Sequence, residues 1–378
     1  MPMNFDYPES QETFRTRLKD LFGPAERSDL ITAESLDLEG LRAAFLRMMK
    51  KLGEAGYLST GLESGKNSPD LLAVQEVLAA ADPSLFLSAE VSIRVFGRLL
   101  AVYGSADQKT EFLPALREGR LLGAVGLTET GMSLAGNPLL TKGTREGEGF
   151  RVSGTKGHVV NARVADCIAV AGESDTGPAF FLIRNPSEGL LIGERMPTLG
   201  YDGAVISPIT LHDCFVPSRS VLGPFPANSV LEAARAWEDE ILTAASLGLM
   251  QNAFDAASQY AKDHRSGGKP IIAYQEVSFK LAEMLTLLQT ARLLAYRAAW
   301  MSETENREAA VLARCAKVFC SEAAEKVTST ALQILGQQGF VRGNPAEEGY
   351  RGAKYLQIAG TSSEISRITI GDLLLEGR

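Results

Sequence analysis

SADQKTEFLPALREGRLLGAVGLTE, residues 105–129, contains the point at which the chain changes from helical to extended structure. Ser105 is a predicted N-cap, because a serine hydroxyl can accept a hydrogen bond from a free N–H group of the first helical turn. Gly119 is a helix stop, and from about residue 121 short apolar segments replace the helical periodicity. The stretch therefore predicts a boundary between a helical and a β module near residue 120.

The residues before this boundary, from 8 to about 120, have the pattern of helices. In LRAAFLRMMKKLGEAG, residues 41–56, apolar side chains recur at intervals of three and four residues. Ser68 is predicted to be the N-cap of a further helix, which stops at Asp82 and Pro83.

The residues after the boundary form a β module and then a second helical module. Segments rich in Val, Ile, Phe and Thr, separated by Gly, Asn, Asp and Pro, continue to Gly223 and Pro224 and are typical of antiparallel β structure. Amphipathic runs then cover 228–263, 275–303 and 305–339. Helices of this length pack as a bundle, so the predicted order is helical, β, helical.

Composition narrows the class of protein. The 378 residues suggest two or three packed modules, and 45% hydrophobic with 22% charged residues is ordinary for globular proteins. The formal net charge of −8 makes nucleic acid an unfavourable partner, because an acidic surface repels phosphates.

Cysteine and histidine usage points to a reducing compartment. The four cysteines form no CxxC pair and only three histidines are present, which argues against structural zinc and a disulfide framework. The N-terminal residues have no signal-peptide pattern, and no run approaches the roughly 18 apolar residues of a membrane span. We therefore expect a cytoplasmic protein without a membrane span.

Five further stretches, in this order, carry a family resemblance. They are FRVSGTKGHVVNARVADCIAVA (150–171), YDGAVISPITLHDCFVPSRSVLG (201–223), YAKDHRSGGKPIIAYQEVSFKLAEM (260–284), ALQILGQQGF (331–340) and AGTSSEISR (359–367). Together with residues 81–129 they resemble the acyl-CoA dehydrogenases from about residue 40 to about 370.

The resemblance implies an α+β fold of three domains. These are an N-terminal helical domain (1–120), a central antiparallel β-barrel or sandwich domain (121–226) and a C-terminal four-helix bundle (227–378). It also implies a homotetramer or homodimer with one FAD per subunit. The flavin would lie between the β domain and the bundle and would touch a neighbouring subunit.

The implied reaction is α,β-dehydrogenation of an acyl thioester carried by CoA or by an acyl-carrier protein. Electrons would pass to an electron-transfer flavoprotein or to O2. A carboxylate must remove the α-proton while the flavin takes a hydride from the β-carbon.

Glu238 is the predicted catalytic base. The family's usual base is the Glu of a C-terminal YEGT motif, but here Gly360, or Ala359 with one inserted Ser, stands at that place. A minority branch, which includes isovaleryl-CoA dehydrogenases, carries the base thirteen residues before a Gln in a GLMQ-like run. Glu238 stands at that distance from Gln251. The alternative interpretation is that residues 238–240 are solvated charges near a helix start.

The resemblance also predicts flavin contacts from the β domain. Thr128 and Ser133 fall in the segment that matches TEPxAGSD, although both are also ordinary turn hydroxyls. His158 replaces the aromatic residue beside the flavin, with a structural imidazole as the alternative. Val160 replaces a Thr that bonds flavin N5, a change that alters redox poise or oxygen reactivity.

Contacts near a neighbouring subunit are predicted in the C-terminal half. His264 stands at the Arg that meets the FAD pyrophosphate, and Arg265 is the predicted substitute, since a guanidinium bonds phosphate bidentately. Gly267 replaces the Phe that packs on adenine. The other predicted cofactor residues are Gln275, Gln333, Gly336, Ser362 and Glu364.

Two other functions stay open at this point. A flavin-dependent monooxygenase or oxidase on the same fold would fit the loss of the usual Glu and of the N5 Thr, whereas Glu238 argues against it. A non-catalytic paralogue would fit the changes at Val160, His264 and Gly267.

Overall fold

The computed structural model describes residues 9–22, 37–63, 68–129, 139–226, 229–303 and 307–375. Within these ranges, six α-helices and one π-helical turn belong to the N-terminal part. They are α1 (Glu9–Asp20), α2 (Leu38–Glu54), α3 (Pro69–Ala81), α4 (Pro83–Glu90), the π-helix (Val91–Gly97), α5 (Arg98–Tyr103) and α6 (Ala106–Arg117).

Side-chain caps set the bounds of these helices. Ser68 Oγ accepts from Leu71 N at 3.1 Å at the start of α3. Ser105 begins α6 with a reciprocal capping box, in which its Oγ accepts from Gln108 N at 3.2 Å and its N–H donates to Gln108 Oε1 at 2.9 Å. Both predicted N-caps are confirmed.

Gly119 ends the first helical part in the left-handed region, with φ +67°. A Cβ atom at this position would lie 2.3 Å from the backbone of Met49, so only glycine allows this turn to approach α2. The chain then enters the first strand at Gly123.

Among the described residues, eight strands form one sheet, ordered β6-β7-β3-β2-β4-β5-β8, with β1 beside β4. They are β1 (Gly123–Gly126), β2 (Lys142–Glu146), β3 (Gly149–Val160), β4 (Cys167–Ser174), β5 (Gly177–Arg184), β6 (Leu190–Ile192), β7 (Ile206–Pro217) and β8 (Val221–Leu222). Most neighbouring strands pair antiparallel as expected, but β1 and β2 each pair in parallel with β4, so the sheet is mixed. β1 enters from the helical domain and aligns with β4, instead of folding back as a hairpin.

Five helices form the C-terminal part, and the three long ones match the predicted amphipathic runs. They are α7 (Ser229–Asp263), α8 (Gln275–Ser302), α9 (Arg307–Leu335), α10 (Pro345–Ile358) and α11 (Ser363–Leu375). A two-residue hairpin, β9 (Arg265–Ser266) and β10 (Lys269–Pro270), joins α7 to α8.

The larger of two apolar cores continues through all three parts of the chain. It includes Phe96 of the π-helix, Val125 of β1 and Ile241 of α7, all buried. The smaller core lies within the β domain. The end of β1 and the first half of α7 therefore meet at the junction of the three parts.

Three observations bear on whether the described residues contain a disulfide, a metal site or a membrane span. Cys167, Cys214, Cys315 and Cys320 are free thiols. Within the described ranges, no cluster of three His, Cys, Asp or Glu side chains is arranged to hold a metal ion. No helix in the part of the chain that the structure describes has the length and apolar character to cross a membrane.

Candidate active site

A guanidinium joins the candidate base to the β domain. Arg235 and Glu238 are three residues apart on α7, a spacing that puts their side chains on one face. Arg235 Nη1 donates to Glu238 Oε2 at 2.6 Å, and Arg235 Nη2 donates to Thr128 Oγ1 at 2.6 Å. The Glu238 side chain is 23% exposed. The predicted base and the predicted flavin contact Thr128 thus lie on either side of one arginine.

The next two acidic residues of α7 point elsewhere, because consecutive helical side chains diverge by about 100°. Asp239 is 7% exposed and faces α9 and the turn at 359–361. Glu240 Oε2 accepts from Arg98 Nη1 of α5 at 3.1 Å. The interpretation of residues 238–240 as solvated charges is therefore wrong, since packing from three directions covers them.

Position 360, one of the two positions predicted for the family's usual base, has no room for a side chain. Gly360 has φ +63°, and a Cβ atom built there would lie 2.5 Å from Asp239 Oδ1 and 3.0 Å from Leu242 Cδ1. Asp239 Oδ1 accepts from Thr361 N at 2.8 Å. Burial raises the pKa of Asp239 to about 6, despite this hydrogen bond and the positive charge of Lys317.

Two tyrosines form an aromatic wall next to Glu238. Burial, followed by the negative charge of Glu238, raises the pKa of Tyr355 near the end of α10. Its ring lies 5.0 Å from that of Tyr201, centroid to centroid, at 56°. Tyr201 has φ +59°, and its buried hydroxyl finds no hydrogen-bond partner among the described residues.

Glu129, which follows Thr128, has a structural task that sequence reasoning missed. Its carboxylate accepts from Leu140 N at 2.6 Å, from Thr141 N at 2.8 Å and from Lys156 Nζ at 2.7 Å. Burial opposes ionisation, but the hydrogen bonds from Lys156, Thr141 and Leu140 outweigh it and lower the pKa of Glu129 to about 2. Burial lowers the pKa of Lys156 to about 8. β3 contains several polar residues, and Glu129 and Lys156 are 27 positions apart in the sequence, so no local signal indicated this pair.

The two predicted flavin contacts on β3, His158 and Val160, differ in the exposure of their side chains. Gly157 N donates to Thr128 O at 3.0 Å, so this part of β3 lies against Thr128. The His158 side chain is exposed, whereas that of Val160 is buried in the larger core. Ser133 lies outside the described residues.

The predicted contacts of the C-terminal half are separate from this group within one subunit. Arg265 is exposed, and its Nη1 donates to Gly268 O at 3.0 Å within the β9–β10 hairpin. Gln275, Gln333 and Gly336 are exposed at helix ends. None of these roles is tested by the structure, so they stay predictions.

The remaining two predicted contacts lie at the start of α11. Ser362 is half-buried, and its Oγ accepts from Ile365 N at 3.4 Å. Glu364 is exposed, and hydrogen bonds within this helix start, from the backbone and from Ser362, lower its pKa.

The residues at the junction can serve acid–base chemistry beside a planar cofactor. A half-buried carboxylate, an adjacent guanidinium and the Tyr355 ring lie on the bundle side, while Tyr201, the Thr128 hydroxyl and the exposed His158 ring lie on the β side. An exposed ring and a hydroxyl suit the face and edge of an isoalloxazine, whereas the buried side chain of Val160 offers it no polar atom. The chain thus fits a flavin through Thr128 and His158.

Comparisons with known proteins agree with this architecture. Residues 9–120 match the family model described as acyl-CoA dehydrogenase, N-terminal domain, and residues 236–375 match acyl-CoA dehydrogenase, C-terminal domain. The mitochondrial short-chain specific acyl-CoA dehydrogenase of Mus musculus is 30% identical, over 98% of this chain and 91% of that protein. The probable acyl-CoA dehydrogenase YngJ of Bacillus subtilis is also 30% identical, over 99% and 100%.

Solved structures share the fold. Butyryl-CoA dehydrogenase from Megasphaera elsdenii has a TM-score of 0.87 at 24% identity, over 99% of this chain and all of that chain. The prolyl acyl carrier protein oxidase AnaB has a TM-score of 0.87 at 24% identity, over 98% and 100%.

Proposed function

The chain belongs to the acyl-CoA dehydrogenase family of FAD-dependent oxidoreductases, and we propose that Glu238 is the base with which it oxidises the Cα–Cβ bond of an acyl thioester. The observation that carries this proposal is the bridge from Glu238 through Arg235 to Thr128. It puts an inward-facing carboxylate opposite the strand end that is predicted to contact the flavin.

In the proposed reaction the Glu238 carboxylate accepts the α-proton of the substrate. FAD, when bound, would supply the two-electron acceptor for the hydride of the β-carbon. With the α-proton transferred to Glu238, two hydrogens and two electrons would leave the substrate, which would become an α,β-unsaturated thioester. Thr128 and His158 would hold the flavin from the β side.

The neighbours of Glu238 prepare it for this task. Arg235 fixes the direction of the carboxylate, and Tyr355 with Tyr201 forms an apolar wall that keeps water away from one side. Excluding water from a site strengthens every electrostatic interaction inside it. A base held at a fixed angle beside such a wall can remove a weakly acidic proton.

The thioester is carried either by CoA or by a carrier protein's phosphopantetheine arm. The two 30% identical relatives are named for acyl-CoA, and AnaB is named for a prolyl carrier protein. Titrating the purified protein with both kinds of thioester decides between these carriers. Oxidised electron-transfer flavoprotein and O2 are the two acceptors to compare in turnover.

The surface of the C-terminal helices supports assembly into a homotetramer or homodimer. Phe279, Leu293 and Trp300 of α8 are exposed at intervals that are multiples of seven residues, so they line one face. Gln275, four residues before Phe279, extends this face. A neighbouring subunit on this face would bring the exposed predicted FAD contacts to a second flavin. The four free thiols support a cytoplasmic location.

The deciding experiment compares Glu238→Gln with Glu232→Gln, an exposed change on the same helix. Anaerobic addition of an acyl thioester should bleach the flavin band near about 450 nm in the wild type and in Glu232→Gln. Glu238→Gln should retain its flavin and show no bleaching. Full bleaching in Glu238→Gln would overturn the assignment of the base.

Two further outcomes would overturn the reaction itself. A purified protein that stays colourless and takes up no flavin would be a non-catalytic paralogue. Oxygenation of a substrate that depends on an NADPH-linked reductase would make the protein a monooxygenase, a reaction that the buried apolar Val160 would suit.

A further inference from the structure

The turn that joins α10 to α11, residues 359–362, is held from two sides by buried charges. Asp239 Oδ1 accepts from the Thr361 N–H at 2.8 Å. Lys317 Nζ of α9 donates to the carbonyl oxygen of the same Thr361, and at 3.4 Å to Gln357 O. The Lys317 side chain is fully buried. The Asp239 carboxylate and the Lys317 ammonium therefore bind the peptide groups before and after Thr361. We call this pair of contacts the Thr361 clamp.

Such a pair is costly to bury, which makes its position informative. A buried charge persists only where partners compensate it, and removing one partner leaves the other uncompensated. Here the carboxylate and the ammonium are opposite charges that share Thr361. Burial lowers the pKa of Lys317, while the charge of Asp239 opposes that change. Each group thus favours the ionised form of the other.

Gly360 is part of this arrangement, because the Asp239 carboxylate of the Thr361 clamp leaves no room for a side chain at position 360. The Cβ position at 2.5 Å from Asp239 Oδ1 is closer than Cβ atoms tolerate. The carboxylate therefore excludes any larger residue from the position while it stays bonded to Thr361.

The same anchor fixes the direction of the preceding residue. With Asp239 turned to α9 and the 359–362 turn, the divergence of consecutive helical side chains directs Glu238 toward Thr128 and Arg235. The clamp also fixes the end of α10, which carries Tyr355. Tyr355, whose pKa the charge of Glu238 helps to raise, therefore depends on where this turn lies.

We propose that Asp239 is a positioning residue for Glu238, acting by fixing Thr361 and the end of α10 against α7. This inference rests on the proposed function, since it takes Glu238 as the base. Asp239 is not itself the base, because Thr361 N–H occupies its Oδ1 and the carboxyl group is enclosed by α9 and the turn.

The test compares Asp239→Ala, Asp239→Asn and Gly360→Ala in the flavin-loaded protein. An exposed change on the same helix, Asp255→Ala, is the matched control. The readouts are flavin content, kcat and KM with an acyl thioester, and exchange of the substrate α-proton with D2O. Proton exchange reports on the base independently of the electron acceptor.

Asp239→Ala should lower kcat and the exchange rate about 10- to 100-fold, with little change in KM or flavin content, as expected for a misplaced base. Asp239→Asn keeps an oxygen that accepts from Thr361 N–H, so it should recover most of the rate. Gly360→Ala keeps Asp239 but displaces its carboxylate, so it should share the defect of Asp239→Ala. It also serves as the test if Asp239→Ala fails to fold.

The outcomes separate this inference from the proposed function. If Glu238→Gln is inactive while Asp239→Ala and Gly360→Ala turn over normally, positioning is overturned and the base assignment stands. If Glu238→Gln is active while Asp239→Ala and Asp239→Asn are both inactive, the base assignment fails and Asp239 takes that role. A fall in thermal stability alone, at unchanged kcat and exchange, also overturns the inference.

Discussion

The protein buries two carboxylate–lysine pairs, and they behave in opposite ways. In the β domain, Glu129 faces Lys156, and the pKa of Glu129 falls to about 2. In the bundle, Asp239 faces Lys317, and the pKa of Asp239 rises to about 6. Both carboxylates are almost completely buried, so burial alone does not decide the direction.

The difference lies in the hydrogen bonds that each carboxylate accepts. Glu129 accepts from two backbone N–H groups, the Thr141 hydroxyl and the Lys156 ammonium. Lys317 directs its ammonium to the carbonyl of Thr361 and acts on Asp239 only through its charge. A direct ammonium bond with several further donors overcomes desolvation at Glu129, whereas the N–H and the hydroxyl of Thr361 and a more distant charge do not overcome it at Asp239.

The largest effect is expected for Glu129→Gln. This change leaves Lys156 buried without its anionic partner, and we expect a loss of about 3–5 kcal/mol in the free energy of unfolding. Denaturant unfolding of the flavin-free protein measures it. A loss below about 1 kcal/mol would show that the two pairs do not differ as described.

Lys317→Met should cost less, about 2–3 kcal/mol, because Asp239 can take up a proton once its counter-charge is gone. The double variant Asp239→Asn with Lys317→Met removes both charges. Its unfolding free energy should be higher than the wild-type value minus the sum of the losses measured for the two single variants. Strict additivity would mean that the two groups do not interact.

The pH dependence of stability should have opposite signs at the two carboxylates. Between pH 4 and 6 the folded protein binds more protons at Asp239 than the unfolded chain does, because the pKa rises from 3.8 to about 6 on folding. This group's contribution to the free energy of unfolding therefore falls as the pH rises through that window, by roughly 1–3 kcal/mol. The Glu129 contribution is present above about pH 4.5 and is lost as the pH falls toward 2.

Unfolding free energies at several pH values test these signs. The unfolding free energy of the wild type minus that of Asp239→Asn should decrease from pH 4 to pH 6. The unfolding free energy of the wild type minus that of Glu129→Gln should increase from pH 2 to pH 4.5. Parallel curves for the wild type and either variant would contradict the corresponding assignment.

The smallest effect is expected for an exposed pair. Arg151 Nε lies 2.5 Å from Glu146 Oε2 on the surface of the β domain. Glu146→Gln should leave the unfolding free energy almost unchanged, and the small change should shrink further as salt is added. A loss as large as that of Glu129→Gln would show that burial is not what separates these pairs.

Local signals in the sequence predicted much of the fold. Ser68 and Ser105 were identifiable as caps because capping depends on residues within one turn. The long helices of the C-terminal part were predictable because their apolar side chains keep a steady period. The parallel pairing of β1 and β2 with β4 was not, since it depends on how distant segments align.

The site was predictable where it depends on spacing and obscure where it depends on tertiary contact. Glu238 was predicted from its distance to Gln251 and from the missing acid at Gly360 or Ala359, and its role as the base stays a prediction. Arg235 was missed, although its spacing of three residues from Glu238 was a usable signal. The hydrogen bonds that connect Asp239 and Lys317 to Thr361 join residues far apart in the sequence, and no local pattern indicates them.

The closed space at Gly360 also limits the order in which this chain can evolve. A glutamate gained at 360 meets the Asp239 carboxylate at once, so this substitution is harmful while the aspartate remains. A lineage that returned the acid to the C-terminal turn would first have to shorten residue 239. The two positions are therefore coupled, because a side chain at position 360 needs the space that the Asp239 carboxylate occupies.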